Sequence, residues 1–404
     1  MTTWLLTIIY LAFISLGLPD SLLGSSWPVM RQDLGISLDS AGIISMTIAL
    51  GTIISSLMSG FIIKKFGTAK VTLISCLMTA TALIGFSMSN SMIGLFLLAI
   101  PLGLGGGAVD SALNHYVAEN YKAHHMNWLH SFWGIGATTG PVILSYYIVH
   151  GNSWRAGYRT VSIIQFSVAA ILLISLPLWK RVEESRGIKI HNNDTSTSIS
   201  QGEGQTNNAK NSIVRIGGVT QSLIAFLFYC GAESTVGLWG ASYLVGAKNV
   251  RPEMAAGWVS LYYGGITVGR MISGFITMGV PNRLLILWGQ LIAFAGVLIL
   301  LLPLPTAFYM IGQILTGLGF APIFPGLLHE TPARFGSENS AKLIGYQMAA
   351  AYVGTTFLPP LFGVIAERTT IALFPFFTLA YIIFMLMNTE TVNHILKKQN
   401  VTQE

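Results

Sequence analysis

Asn192-Asn193-Asp194-Thr195-Ser196-Thr197-Ser198, and then Gly202-Glu203-Gly204-Gln205, lie at the centre of a polar stretch, Lys180 to Gly218, that could not form a packed core. A segment of that composition buries too little apolar surface to offset the entropy of ordering, and it reads as a linker. What flanks it is the opposite. Over the whole chain 52% of residues are hydrophobic and 9% charged, against about 25% charged in soluble domains, which excludes an ordinary globular enzyme. Apolar runs near the ~20 residues a helix needs to cross a bilayer recur on both sides of the linker.

Six runs precede it: Trp4 to Pro28, Ser40 to Ile63, Val71 to Ser89, Met92 to Ala118, Met126 to Val149 and Tyr158 to Trp179. Six follow: Val219 to Val245, Met254 to Met278, Leu284 to Leu302, Thr306 to His329, Lys342 to Ala366 and Ile371 to Asn388. The expected fold is an all-α membrane protein of twelve transmembrane helices in two pseudo-symmetric six-helix bundles. Residues 1–180 form the N-terminal bundle, 181–218 a cytoplasmic linker, 219–390 the C-terminal bundle and 391–404 a cytoplasmic tail.

The net charge of +6 matters by its location, because basic residues beside membrane helices set orientation. With both termini inside, 15 of the 22 Lys and Arg residues fall in cytoplasmic segments, six fall outside, and Arg270 lies within a span. The partners expected are therefore a lipid bilayer, a small-molecule solute and protons, with no nucleic acid, for a chain that works as a monomer in the cell membrane. Cys76 and Cys230 both sit in apolar runs and support neither a disulfide framework nor a metal site. No nucleophile arrangement or phosphate loop is present, so no cofactor, no metal and no enzymatic activity are expected. The first run lacks a basic start and a small-residue cleavage site and is expected to remain as span 1.

The halves repeat at an offset of about 214 residues, as in duplicated transporters. Asp20-Ser21 with Gly24 and Trp27 answers Glu233-Ser234 with Gly237 and Trp239. Ser59 to Ile62 and Ser273 to Ile276 both read Ser-Gly-Phe-Ile, Gly103-Leu104-Gly105 matches Gly317-Leu318-Gly319, and His115 falls opposite His329. Two parallel six-helix repeats with such a linker resemble the major facilitator superfamily. Gly60-x-x-x-Lys64-Lys65-x-Gly67-x-x-Lys70 is similar to its basic loop after helix 2, with Lys64 where relatives carry an acid. That resemblance implies a gating role for Lys64 and Lys65.

Four stretches resemble the fucose and glucose permease group of sugar:proton symporters: Phe228 to Glu233, Gly264 to Arg270, Gly319 to Pro325 and Leu129 to Gly136. The resemblance implies alternating access and inward movement of a monosaccharide or similar polyol with a proton. Asp20 and Asp110 are placed like that group's two cavity acids, in helices 1 and 4, although the helix 4 position there is glutamate. The ranking of proton over sodium rests on this resemblance.

The residues themselves narrow the chemistry. A charged carboxylate in hydrocarbon is costly unless paired or wet, so Asp20, Asp110 and Glu233 each need a reason. Asp20 follows Pro19, which bends the helix and frees carbonyls, giving either a proton site or a cap for the restarting helix. Asp110 lies one turn from Asn114, an arrangement for binding hydroxyls, sharing a proton, or a structural hydrogen bond. A carboxylate whose solvation changes as a cavity closes can load and release a proton. Glu233 is open to solute binding or to pairing with Arg270, which is near enough to the cytoplasmic end for gating. For a hydroxyl-rich solute the candidate amides are Asn114, Gln290, Gln313 and Gln347 and the candidate rings Trp133, Trp239, Tyr262, Tyr263 and Tyr352, each ring also fitting an interfacial belt or helix packing. His130 either lines the cavity or faces the loop. The alternatives to symport are proton-coupled export of hydrophobic solutes and a sensor that binds without transport.

Overall fold

Hydrocarbon leaves no water for an unpaired backbone group, so a spanning chain must close its hydrogen bonds within helices. The computed structural model describes residues 2–121, 123–151, 153–185, 216–277 and 279–401, and apart from turns all of its regular elements are helical. The first half holds α1 (Thr2–Asp20), α2 (Leu22–Leu34), α3 (Ser40–Phe66), α4 (Thr68–Met88), α5 (Met92–Asn120), α6 (Ala123–Val149) and α7 (Trp154–Ser185). The second holds α8 (Val219–Lys248), α9 (Pro252–Ile276), α10 (Asn282–Leu301), α11 (Thr306–Phe320), α12 (Ile323–His329), α13 (Thr331–Phe335), α14 (Ser337–Arg368) and α15 (Phe374–Val401).

Among the described residues twelve crossings emerge once the broken helices are joined. Span 1 is α1 plus α2, interrupted at Asp20-Ser21 just after Pro19, and span 10 is α11 plus α12, interrupted at Ala321-Pro322. Among the described residues eleven helices are long and apolar enough to cross a membrane. The twelfth is α9. Its 25 residues reach across a bilayer at ~1.5 Å per residue, while Glu253, Arg270 and several glycines dilute its apolar character. The segment expected as linker lies outside the described residues over 186–215. At the other end α15 continues to Val401, so most of 391–404 extends the last helix, where Val392 and Leu396 pack with Val219 and Phe335.

Small residues let the helices touch. A methyl at Gly103 would strike the Ile48 carbonyl of α3, and one at Gly354 of α14 would strike the Leu227 carbonyl of α8, a packing mode that membrane helices favour. Gly67 turns the chain from α3 into α4 at φ 78°, with its N–H bonded to Ile63 O at 2.8 Å, a conformation open to glycine without strain.

With an even number of crossings in each half, both termini and the linker ends share one face, here the termini face. The halves meet at the opposite, far face. Gly24 abuts Gly237 and Leu238, and Gly42 abuts Pro360. Ser145 Oγ donates to the Glu253 carbonyl at 2.8 Å, and the Leu38 amide donates to Glu367 Oε2 at 2.8 Å. The largest buried cluster joins residues of both halves, including Trp27, Trp154, Trp239 and Phe362. Toward the termini face the cores separate into one cluster around Phe13, Val117 and Trp179 and another around Val219, Phe335 and Val392.

Candidate functional site

A cavity of about 450 Å³ lies between the halves, on the termini side of that seal. Leu23, Gly24, Gly237 and Leu238 belong to both its wall and the seal, while Asp20 and His130 on its lining are solvent-exposed. Access is therefore from the termini face.

The cavity gathers Asp20, Asp110, Trp133, Glu233, Tyr263, Arg270 and Tyr352 from the two halves. Asp20 ends α1 at the break after Pro19, and its Oδ2 accepts from Trp133 Nε1 of α6 at 2.7 Å. Asp110 Oδ1 accepts from Asn114 Nδ2 one turn on, at 2.9 Å. Asn114 is thus a partner of the lining acid without itself lining the cavity, and its Oδ1 is buried with no protein partner. Arg270 Nη2 donates to Glu233 Oε1 at 3.2 Å, pairing α9 with α8. The same guanidinium lies 5.7 Å from the Trp133 ring centroid, within reach of a cation–π contact. His130 also lines the cavity, set edge-on to Phe13 with 6.0 Å between ring centroids.

Other candidates are placed elsewhere. Trp239 is fully buried and donates to the Pro359 carbonyl at 2.8 Å. Tyr262 is buried with its hydroxyl on the Glu233 carbonyl at 3.0 Å, behind the cavity wall. Gln290 bonds Thr389, and Gln347 bonds Thr331 and Ser222, each inside the second half. Gln313 is fully buried against Gly240, with neither side-chain polar atom hydrogen-bonded to protein. None of these five lines the cavity. Lys64 and Lys65 are exposed in the last turn of α3, where their charge complements the helix dipole, and they too lie off the cavity.

Gln165 of α7 joins the cavity lining without having been a candidate from the sequence. It is 1% exposed, its Nε2 donates to the Ser15 carbonyl at 2.8 Å, and its Oε1 lies buried on the cavity lining without a protein partner. An amide alone in the apolar run of span 6 was the available signal.

Twelve crossings in two repeated halves around a central polar cavity define an architecture, and the sequence comparison supplies its family: residues 9–243 match the Major Facilitator Superfamily. The chain belongs to that superfamily. As a facilitator superfamily member it is a multi-pass membrane transporter and not an enzyme. It is 25% identical over 281 residues to Bypass of stop codon protein 6 of Saccharomyces cerevisiae, covering 66% of this chain and 55% of that protein, so it spans about half of that relative. It is 24% identical over 324 residues to the glucose/mannose transporter GlcP of Bacillus subtilis, covering 78% of this chain and 77% of GlcP. It is also 24% identical over 385 residues to the cis,cis-muconate transport protein of Acinetobacter baylyi, covering 92% and 90%. Its fold superimposes on the inward-open xylose transporter XylE from E. coli with a TM-score of 0.72, 14% identity and 96% of each chain covered.

Proposed function

We propose that this transporter is a proton-coupled symporter of a neutral monosaccharide or similar polyol, working by alternating access of its two halves. The observation that carries the reading is the constellation on one cavity wall: Asp20 held by an indole N–H, and Asp110 held by an amide one turn away. Two carboxylates on a cavity lining can take up and release a proton as their solvation changes, and the acceptors around them match a solute rich in hydroxyl donors. The cavity is within the range of about 300–1,000 Å³ usual for small-molecule sites. Three carboxylates against one paired guanidinium on its lining favour a neutral solute over a carboxylate such as muconate. The likeness to the glucose/mannose transporter GlcP supports the same class.

In this reading Asp20 and Asp110 couple the proton, and Trp133, Glu233, Tyr263 and Tyr352 contact solute, with Asn114 acting through Asp110. Arg270 gates from the second half, and Lys64 and Lys65 gate at the end of α3. The termini face is cytoplasmic, in the cell membrane, and the monomer is the working unit.

The test is pH recording outside de-energised cells expressing the chain, on addition of D-glucose, D-mannose, D-xylose or L-fucose. Alkalinisation by one of these sugars is expected, and it should vanish in Asp20→Asn and in Asp110→Asn while both remain at the cell surface. Silence with every sugar, from wild-type protein present at the surface, would overturn sugar symport and leave proton-coupled export as the leading reading.

A further inference from the structure

Four side chains on four helices form a continuous polar chain across the boundary between the halves. Trp133 Nε1 of α6 donates to Asp20 Oδ2 of α1 at 2.7 Å. The Arg270 guanidinium of α9 lies 5.7 Å from the Trp133 ring centroid, and its Nη2 donates to Glu233 Oε1 of α8 at 3.2 Å. The register of this chain is fixed locally. Gly134, beside Trp133, lies so close to Thr267, one turn before Arg270, that a methyl there would collide with the threonine side chain. The indole is therefore held between an acid of the first half and an ion pair of the second.

An N–H bond to an ionised carboxylate is shorter and stronger than one to a neutral acid. Linked polar contacts polarise one another, so donation to a carboxylate enriches the indole ring and makes it a better seat for a cation. Protonating Asp20 weakens both contacts. We propose that Trp133 is a positioning residue that transmits the protonation of Asp20 to the Arg270–Glu233 pair, and so to the relative orientation of the halves. Ionised Asp20 favours the arrangement described here, sealed at the far face. This rests on the reading that Asp20 carries the coupling proton. The titratable and charged groups that share the cavity lining with Asp20 are Cys76 of α4, Asp110 of α5, His130 of α6, Cys230 and Glu233 of α8, Tyr263 and Arg270 of α9, and Tyr352 of α14.

The experiment reads the mouth of the cavity without any solute. Phe61 of α3 and Phe275 of α9 are 67% and 76% exposed near the termini-face ends of opposite halves. Spin labels would be attached through Phe61→Cys and Phe275→Cys, in full-length protein carrying Cys76→Ser and Cys230→Ser and reconstituted in liposomes. The distance distribution would be followed from mildly acidic to mildly alkaline pH. The long-distance population should grow as pH rises in the otherwise wild-type protein and stay flat in Asp20→Asn.

Trp133→Phe keeps a ring but loses the N–H, and the pH-dependent change should fall to half or less. The double variant Glu233→Gln, Arg270→Gln removes both charges together, so that neither is left unpaired, and should show the same loss. It decides the matter if Trp133→Phe does not fold. Wild-type titration curves in both variants, or no pH dependence in the parent, would overturn the proposal. Because no sugar is present, a pH-driven distance change in a protein that answers no sugar discards the sugar reading and leaves the relay standing. A sugar response with pH-insensitive distances does the reverse.

Discussion

The indole of Trp239 meets the Pro359 carbonyl at the Pro359-Pro360 pair inside α14, and its ring fills the space that a side chain at Gly363 would need. Trp239→Phe removes that donor and shrinks the ring that fills this space, and is expected to cost about 2 kcal/mol of stability, read as a lower unfolding temperature of the purified protein, with solute selectivity unchanged. Altered selectivity at unchanged stability would return Trp239 to the solute site. The contrast with Asp20, Asp110 and Glu233 explains what could be read from single residues. A carboxylate in hydrocarbon is so costly that it must find a cavity or a partner, and all three do. Amides and rings carry no such compulsion. Gln290 and Gln347 satisfy themselves inside their own half, and a span whose lipid face and helix-packing face are both apolar gives no phase from which to tell which side a glutamine takes.

Between elements, the connection before α3 is tied from two sides: Trp27 Nε1 of α2 donates to the Leu38 carbonyl at 3.0 Å, and the Leu38 amide donates to Glu367 of α14 at 2.8 Å. The second bond crosses the halves at the far face. Glu367→Ala should weaken the seal by about 1 kcal/mol, a few-fold in the population open at that face. A thiol placed by Ser45→Cys on the cavity wall, with Cys76 and Cys230 replaced by serine, should then react a few-fold faster with an impermeant reagent applied from the far side; an unchanged rate would show that Glu367 holds nothing shut. The bend in span 1 was legible because proline both lacks an N–H and clashes in a helix interior. The continuation of α15 past the bilayer was not, since hydropathy falls at Asn388 while the helix is sustained by Val392 and Leu396, one turn apart, against Val219 and Phe335.

For the whole molecule, the repeat and the polar linker foretold two six-helix halves, because both signals survive without side-chain detail. Where the halves touch was not foretold, as the same apolar residues suit lipid, helix packing or an interface between halves. Orientation is open to direct measurement. In protein lacking its native cysteines, Arg251→Cys, ahead of α9 on the far face, should be labelled by an impermeant reagent outside intact cells. Lys70→Cys, at the start of α4 on the termini face, should be labelled only after permeabilisation; the reverse pattern would invert the proposed topology. The joint core at one face and divided cores at the other have a kinetic consequence. A carrier resting in this form waits with its vestibule open to a single compartment and meets that compartment's solute before it can reset. If that compartment is the cell interior, accumulated cargo re-enters the empty vestibule and delays the return stroke, so intake slows as the internal pool fills and no separate inhibitory site is needed.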